Sequence, residues 1–450
     1  MRQPQKRGAM PRLVIVSNRV PSVRAGAPLA GGLAVGLKDA IAARETLWFG
    51  WSGRETRGAP ADKPKLRDTG GVAFATFDLS HAQYQGFYVG FSNTMLWPLF
   101  HGRVGLAVFD RAEFAMYRDV NTRYANILAP LLKADDTVWV HDYQLIMTGQ
   151  ALRGAGVKNR IGFFLHIPFP PAQHFNLLPQ AASLLESFAC YDLIGMQTEE
   201  DAENLNACLT KAGLEAKARA FPIGIDPDGF AEAARNAMQS EEMQRLDESL
   251  ADRALILGVD RLDYTKGLPE RFRGYARLLE LFPQHRNRVT FLQIAPVSRG
   301  EVAQYKTLRR ELDGLAGRIN GEHAEFDWMP LRYLTTALDR DTLAGFHRRA
   351  RVGLVTPLRD GMNLVAKEYV AAQDSEDPGA LVLSRFAGAA SAMQGALLVN
   401  PYDPDEIAEA LHAALEMGAE ERRSRWRTMN AAVHASTAAI WARDFLCALA

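Results

Sequence analysis

Cysteine is scarce: Cys190, Cys208 and Cys447 are the only three in 450 residues, far apart and in no metal-ligand spacing. They read as reduced thiols of a cytosolic protein. Net charge is missing too, because 52 basic residues meet 52 acidic ones with the signs interspersed. A sequence-independent nucleic-acid binder shows a basic footprint, so nucleic acid is excluded as a partner. No apolar run approaches the roughly 20 residues a spanning helix needs. The basic start "MRQPQKRGAMP" leads into "RLVIVSNR", too short and polar for a signal core, so a soluble chain without membrane contact is expected. No glycine-rich nucleotide fingerprint of the usual spacings occurs, which removes dehydrogenase and P-loop readings. Internal repeats and low-complexity tracts are also absent.

What is present is alternation. Short β-branched runs exchange with amphipathic stretches from end to end, the pattern of parallel sheets with crossover helices. The length suits two domains better than one core. Strands are predicted at 12–17, 137–141, 161–166, 192–196 and 218–223, with helices at about Gly32–Ala43, Ala112–Leu132 and Glu199–Ala212. Residues 223–250 read as a linker followed by a surface helix. A second series of strands is predicted at 254–260, 289–295, 352–357, 380–384 and 396–400.

In open parallel sheets, ligands bind beyond the carboxyl ends of the strands, so polar residues there come first. Arg19 follows the first strand, and Gly31–Gly32 open the next helix, where backbone N–H groups can face an anion. In "HDYQL", Asp142 is placed to cap a helix. In "FFLHIPFPP", His166 ends an apolar run before prolines that stiffen the loop. "GVDRLDYTKGLPE" puts Arg261 and Lys266 after a strand, two cations that suit a diphosphate. Salt bridges to Asp260 and Asp263 are the plainer reading. "PLRDGMNLVAKEYVAAQ" offers Gly361 for close approach, a helix start for phosphate oxygens, and Glu368 for ribose hydroxyls. Asp360 suits sugar hydroxyls; plainly read, it caps the helix while Glu368 lies exposed.

With these segments in view, the chain resembles the trehalose-6-phosphate synthases, glycosyltransferase family 20 of the retaining GT-B enzymes. "VSNR", "AGGLAVGL", "WFGWSG", "FSNTMLWPLFH", "VWVHDYQL", "IGFFLHIPFP", "DLIGMQT", "PIGIDP", "DRLDYTKGLPER", "QIAPVSRGEV", "AGRIN" and "PLRDGMNLVAKEYVAAQ" carry the likeness in order. The resemblance implies an α/β fold of GT-B kind, two Rossmann-like domains facing each other across a deep cleft. Residues 1–230 would bind acceptor and 251–430 the nucleotide sugar, with 431–450 a tail helix crossing back. The implied reaction moves glucose from a nucleoside-diphosphate glucose, UDP-glucose first, to glucose 6-phosphate. By the same similarity Arg19, Tyr88 and Arg318 hold the acceptor phosphate, while Trp51, Trp97, Asp142 and Gln197 shape the glucose pocket. Gly32, Arg261, Lys266 and Met362, Asn363, Leu364 and Val365 hold the diphosphate, and Glu368 the ribose. His166 and Asp360 touch the transferred glucose. Catalysis would rest on Arg261, Lys266, Asp142, His166 and Asp360.

The chain departs from the family at Gln144, where many relatives have histidine, in a shorter stretch at 209–221, and at Ser391 and Ala392. No phosphatase domain is expected, so dephosphorylation of the product would need a separate protein. Retention by two inversions needs a carboxylate beneath the sugar, and no acid is an obvious nucleophile. A front-face route is therefore expected, with catalysis by positioning and electrostatics. No acidic cluster invites a divalent metal, so no metal or cofactor is expected. A synthase using glycerol 3-phosphate and a non-catalytic sugar-phosphate sensor are the competing readings. The retained aromatic pocket and donor residues disfavour them. The residues leave a homo-oligomer open.

Overall fold

The structure, a computed structural model, describes residues 11–21, 37, 41, 44–69, 71–297 and 302–450. The chain divides into two compact units, residues 1–222 with 438–450, and residues 223–437. The first unit is built on an eight-stranded sheet in the order β3-β4-β2-β1-β5-β6-β7-β8. Its strands are β1 (Leu13–Arg19), β2 (Thr46–Thr56), β3 (Lys65–Thr69), β4 (Val72–Ser80), β5 (Thr137–His141), β6 (Arg160–Phe164), β7 (Leu193–Met196) and β8 (Ala218–Ala220). All neighbours pair in parallel except β3 with β4.

Buried on both faces, parallel strands are continuous apolar runs, and Leu13–Val16 and Val138–Val140 are fully buried. Strands β2 to β4 are not among the sequence predictions. β2 mixes glycine and serine with its tryptophans, and β3 is an edge strand of exposed Lys65, Arg67 and Asp68. Charges on such an edge discourage pairing with another chain. Helix α1 (Arg111–Leu128) is capped by Asp110, whose carboxylate accepts from the N–H groups of Ala112 and Glu113. Thr198 likewise caps α2 (Glu199–Lys211).

The second unit begins with α3 (Pro227–Ala237) and α4 (Glu241–Leu250), where a linker and one helix are expected from sequence. α3 is a core helix, burying Phe230, Ala234 and Ala237. Polar composition misleads there because three small or aromatic positions suffice for its inner face. The sheet follows: β9 (Ala254–Val259), β10 (Val289–Ile294), β11 (Leu331–Leu334), β12 (Val352–Val355), β13 (Ala380–Ser384) and β14 (Leu397–Val399). All pair in parallel, in the order β11-β10-β9-β12-β13-β14. Numbered within the unit this is 3-2-1-4-5-6, the doubly wound dinucleotide-fold order.

Its helices are α5 (Leu268–Leu281), α6 (Ala303–His323), α7 (Arg340–Arg349), α8 (Leu364–Ala372), α9 (Pro404–Glu416) and α10 (Ala419–Ala435). Ser436 and Thr437 interrupt the helix, and α11 (Ala438–Leu449) belongs to the first unit. There Phe445 stacks on Trp139 with centroids 4.5 Å apart, over Gly162 and Gly195, where a side chain would collide with its ring. Among the described residues no helix is long and apolar enough to cross a membrane.

Candidate active site

In the second sheet the winding reverses between β9 and β12, the crevice where such sheets bind ligands. Arg261 and Lys266 follow β9, and Asp360, Met362 and Asn363 follow β12, so the topology gathers the donor candidates. Gly267, at φ +64°, makes the join: a Cβ there would lie 2.2 Å from the Thr356 carbonyl oxygen. Only glycine fits both the angle and the gap.

Lys266 is ion-paired with Asp360, and Asp260 stands 3.9 Å from its ammonium. Burial works to lower the ammonium's pKa, but the two carboxylates outweigh it, even against the charge of Arg261. The pKa is therefore raised and Lys266 is a cation at neutral pH. Arg261 itself is exposed. Asp360 is further held by Asn363, whose Nδ2 donates to it at 3.0 Å. Asn363 takes φ +75°, and its Oδ1 accepts from the Ala366 N–H at 3.1 Å. So Asn363, not Asp360, caps α8, leaving Asp360 to orient charge. Buried Met362 precedes the cap, and Leu364 and Val365 form the first turn, whose N–H groups lack intrahelical acceptors. Glu368, one turn on, is half-buried rather than exposed. Burial pushes its carboxyl up to about 7, with Arg340 pulling the other way.

Sequence reasoning missed the residue beneath this constellation. Arg271 of α5 is fully buried and donates to Asp260 at 2.8 Å, Gln293 at 2.9 Å and Thr356 at 3.0 Å. A longer bond of 3.3 Å reaches the Lys266 carbonyl. One guanidinium thus ties β9, β10 and β12 to the loop that carries Lys266. Its charge partner Asp260 is 5 % exposed, and burial raises its pKa despite Arg271 and Lys266.

The first sheet reverses between β1 and β5, and acceptor candidates follow both strands. Arg19 ends β1 with its guanidinium 5.9 Å from the Trp51 ring centroid and packed on Gly53, at φ +84°. Trp51 lies 6.5 Å from Tyr88, which joins the three into one cation–aromatic cluster. Trp97 is buried nearby in sequence, against His101 and Tyr143. The Tyr143 hydroxyl donates to Asn93, which donates to the Tyr88 carbonyl, so Trp97 is coupled to that cluster. Gln197 is buried directly after β7.

Asp142 follows β5 at φ +77°, ψ 164°. That region is essentially glycine-only and costs about 1–3 kcal/mol for other residues. Its carboxylate accepts from the N–H groups of Tyr143 at 3.0 Å and His166 at 3.3 Å, fixing it against the β6 loop. His141, which sequence left without a role, sets its Nδ1 3.1 Å from Nε2 of His166. Burial lowers both, His166 to about 3 and His141 well below its ordinary value, so the pair is neutral. Among the described residues the Nε2 of His141 has no partner. A buried acceptor without a donor is better tolerated than a buried N–H without an acceptor. The hydrogen is therefore assigned to His141 Nδ1, donating to His166 Nε2, which leaves the His166 hydrogen on Nδ1.

Arg318 lies exposed on α6 of the second unit, whereas the other acceptor candidates belong to the first. Gly32 lies outside the described residues. A groove of about 510 Å³ lined by Val20, Ser52, Arg54, Arg67 and Asp78 contains none of the candidates.

Two parallel-sheet α/β units, each with its polar groups gathered where the winding reverses, define the GT-B class of glycosyltransferases. Within that class the chain belongs to glycosyltransferase family 20, whose profile matches residues 14–450. A trehalose-6-phosphate synthase of Sinorhizobium fredii is 47 % identical, covering 97 % of this chain and 98 % of that one. The crystal structure of a UDP-forming α,α-trehalose-phosphate synthase from Burkholderia vietnamiensis superposes with a TM-score of 0.96 at 46 % identity, covering 98 % and 99 % of the two chains. Another from Burkholderia xenovorans, in complex with glucose 6-phosphate, gives 0.94 at 48 % identity, covering 97 % and 99 %.

Proposed function

We propose that this chain transfers glucose from UDP-glucose to glucose 6-phosphate with retention, giving trehalose 6-phosphate and UDP. The observation that carries the reading is the β9/β12 crevice, where Lys266, Asp360, Asn363 and the start of α8 meet beside Arg261. A protonated Lys266 and the N–H groups of α8 suit the charge that grows on a leaving diphosphate. Glu368, one turn along, suits the neutral ribose. Asp360, oriented by Lys266 and Asn363, takes hydroxyls of the transferred glucose. His166, a neutral Nδ1–H donor fixed by His141, is assigned to the transferred glucose on family similarity. Arg19, with Tyr88, is the phosphate anchor for the acceptor, and Trp51, Trp97, Asp142 and Gln197 shape its sugar pocket. Arg318 is assigned to the same phosphate on family similarity. The leaving diphosphate accepts the acceptor's proton, so no protein nucleophile is required. The unpaired thiols of Cys190, Cys208 and Cys447 fit a cytoplasmic enzyme.

The test is release of nucleoside diphosphate with UDP-, GDP- or ADP-glucose crossed with glucose 6-phosphate or glycerol 3-phosphate, with Arg261→Ala as control. Turnover with UDP-glucose and glucose 6-phosphate, lost in the control, is the expected result. Turnover only with glycerol 3-phosphate overturns the acceptor assignment, and silence from a folded, nucleotide-binding protein overturns catalysis.

A further inference from the structure

His285, His412 and Glu416 stand together in the second unit and have no part in the proposed reaction. His285 ends a short 3-10 turn after α5 and is buried. His412 and Glu416 lie four residues apart on α9, hence on one face of it. His285 Nε2 is 2.9 Å from His412 Nδ1 and 4.0 Å from a Glu416 oxygen, and the three ligand atoms lie within 4.8 Å of one another.

We propose that these three side chains bind one first-row divalent transition-metal ion of the zinc type. Two imidazole nitrogens aimed at one point can share a hydrogen, or both can offer lone pairs to a cation. The second arrangement needs only the tautomer with both hydrogens on the outer nitrogens, so no net proton leaves. With metal–ligand bonds of about 2.0–2.2 Å, tetrahedral ligand atoms sit about 3.3–3.6 Å apart. The observed 2.9 and 4.0 Å bracket that spacing. The adjustable member is Glu416, whose side chain is 63 % exposed. The His412 ring is fixed in plane by Phe282, stacked at 4.0 Å and 11°. Glu416 is the last residue of α9, where helix carbonyls and the helix dipole favour a cation. Two imidazoles and one carboxylate select zinc, copper or nickel over magnesium or calcium, and a fourth position is left to water. The chain gives no sequence signal, because 127 residues separate the two histidines.

The test is calorimetric titration of the chelator-treated full chain with Zn²⁺, with Co²⁺ as a spectroscopic probe of coordination. One ion per chain is expected, with visible Co²⁺ absorption of low-coordinate type. His412→Ala should weaken binding by about 100-fold or more, and Glu416→Gln by at least about tenfold. Glu416 is exposed, so its variant keeps the fold if His412→Ala does not. Absence of saturable binding in the wild type, or unchanged affinity in the variants, overturns the site.

Discussion

Replacing Arg271 by methionine isolates what holds the donor crevice together. The substitution keeps apolar bulk but removes the bonds to Asp260, Gln293 and Thr356. Among the described residues, Asp260 is then left in the core with the Lys266 ammonium, 3.9 Å away, as its cation. Breaking a buried ion pair from one side costs about 3–5 kcal/mol, against a typical total stability of about 5–15 kcal/mol. The loss should depend on pH. Asp260 already has a raised pKa, so the folded protein holds a proton that the unfolded chain releases above about pH 4. Stability therefore falls as pH rises from the unfolded pKa through the folded one. Without Arg271 the folded pKa climbs further and this window widens toward neutrality. The penalty is thus smallest near pH 4.5 and largest at pH 7.5. Urea unfolding read by amide exchange in β9 and β12 at both pH values measures it locally. A penalty equal at both pH values would refute the reasoning. So would failure of an added Asp260→Asn to recover about half of the loss at pH 7.5. The same variant should raise KM for donor more than for acceptor, because the Lys266 carbonyl loses its tether.

Two further outcomes are expected from the candidate site. Affinity for UDP-glucose should rise about 10-fold between pH 6 and 8, because ionised Glu368, with a pKa of about 7, offers both oxygens as charged acceptors to the paired ribose hydroxyls while the acid keeps one weaker acceptor. Glu368→Gln should flatten that profile in calorimetry, and a flat wild-type profile removes the ribose role. Asp142→Gly relieves the backbone while Asp142→Ala keeps its strain, so the glycine variant should be more stable by about 1–3 kcal/mol. Both should lose turnover; the reverse stability order in thermal unfolding would show that the conformation is not strained.

Strand ends were legible because parallel strands buried on both faces are apolar runs that stop abruptly, and Arg19, Asp142, Arg261 and Asp360 stand just past such stops. Which ends lie together was not legible, since that depends on strand order, and β9 meets β12 across nearly a hundred residues. The unflagged edge pair β3 and β4 shows the same limit, because an antiparallel pair with a solvated face lacks a continuous run; β2, an interior strand, went unflagged because glycine and serine interrupt its apolar residues. Arg271 marks what a closer reading can recover. It falls in the apolar stripe Leu268, Phe272, Tyr275 and Leu279 of α5, where a lone charge costs too much to bury without partners. Its three side-chain partners sit 11, 22 and 85 residues away, so the sequence announces that a network exists without saying with whom. His141 carries a weaker form of the same signal, a polar residue closing the buried run of β5. Backbone strain leaves no such mark. Nothing in "HDYQL" separates an aspartate at φ +77° from an ordinary cap, because the angle is imposed by the bonds that Asp142 makes to the next loop. Candidate residues at strand ends were therefore legible from position, whereas Arg271 and His141, which hold them, became visible only through packing.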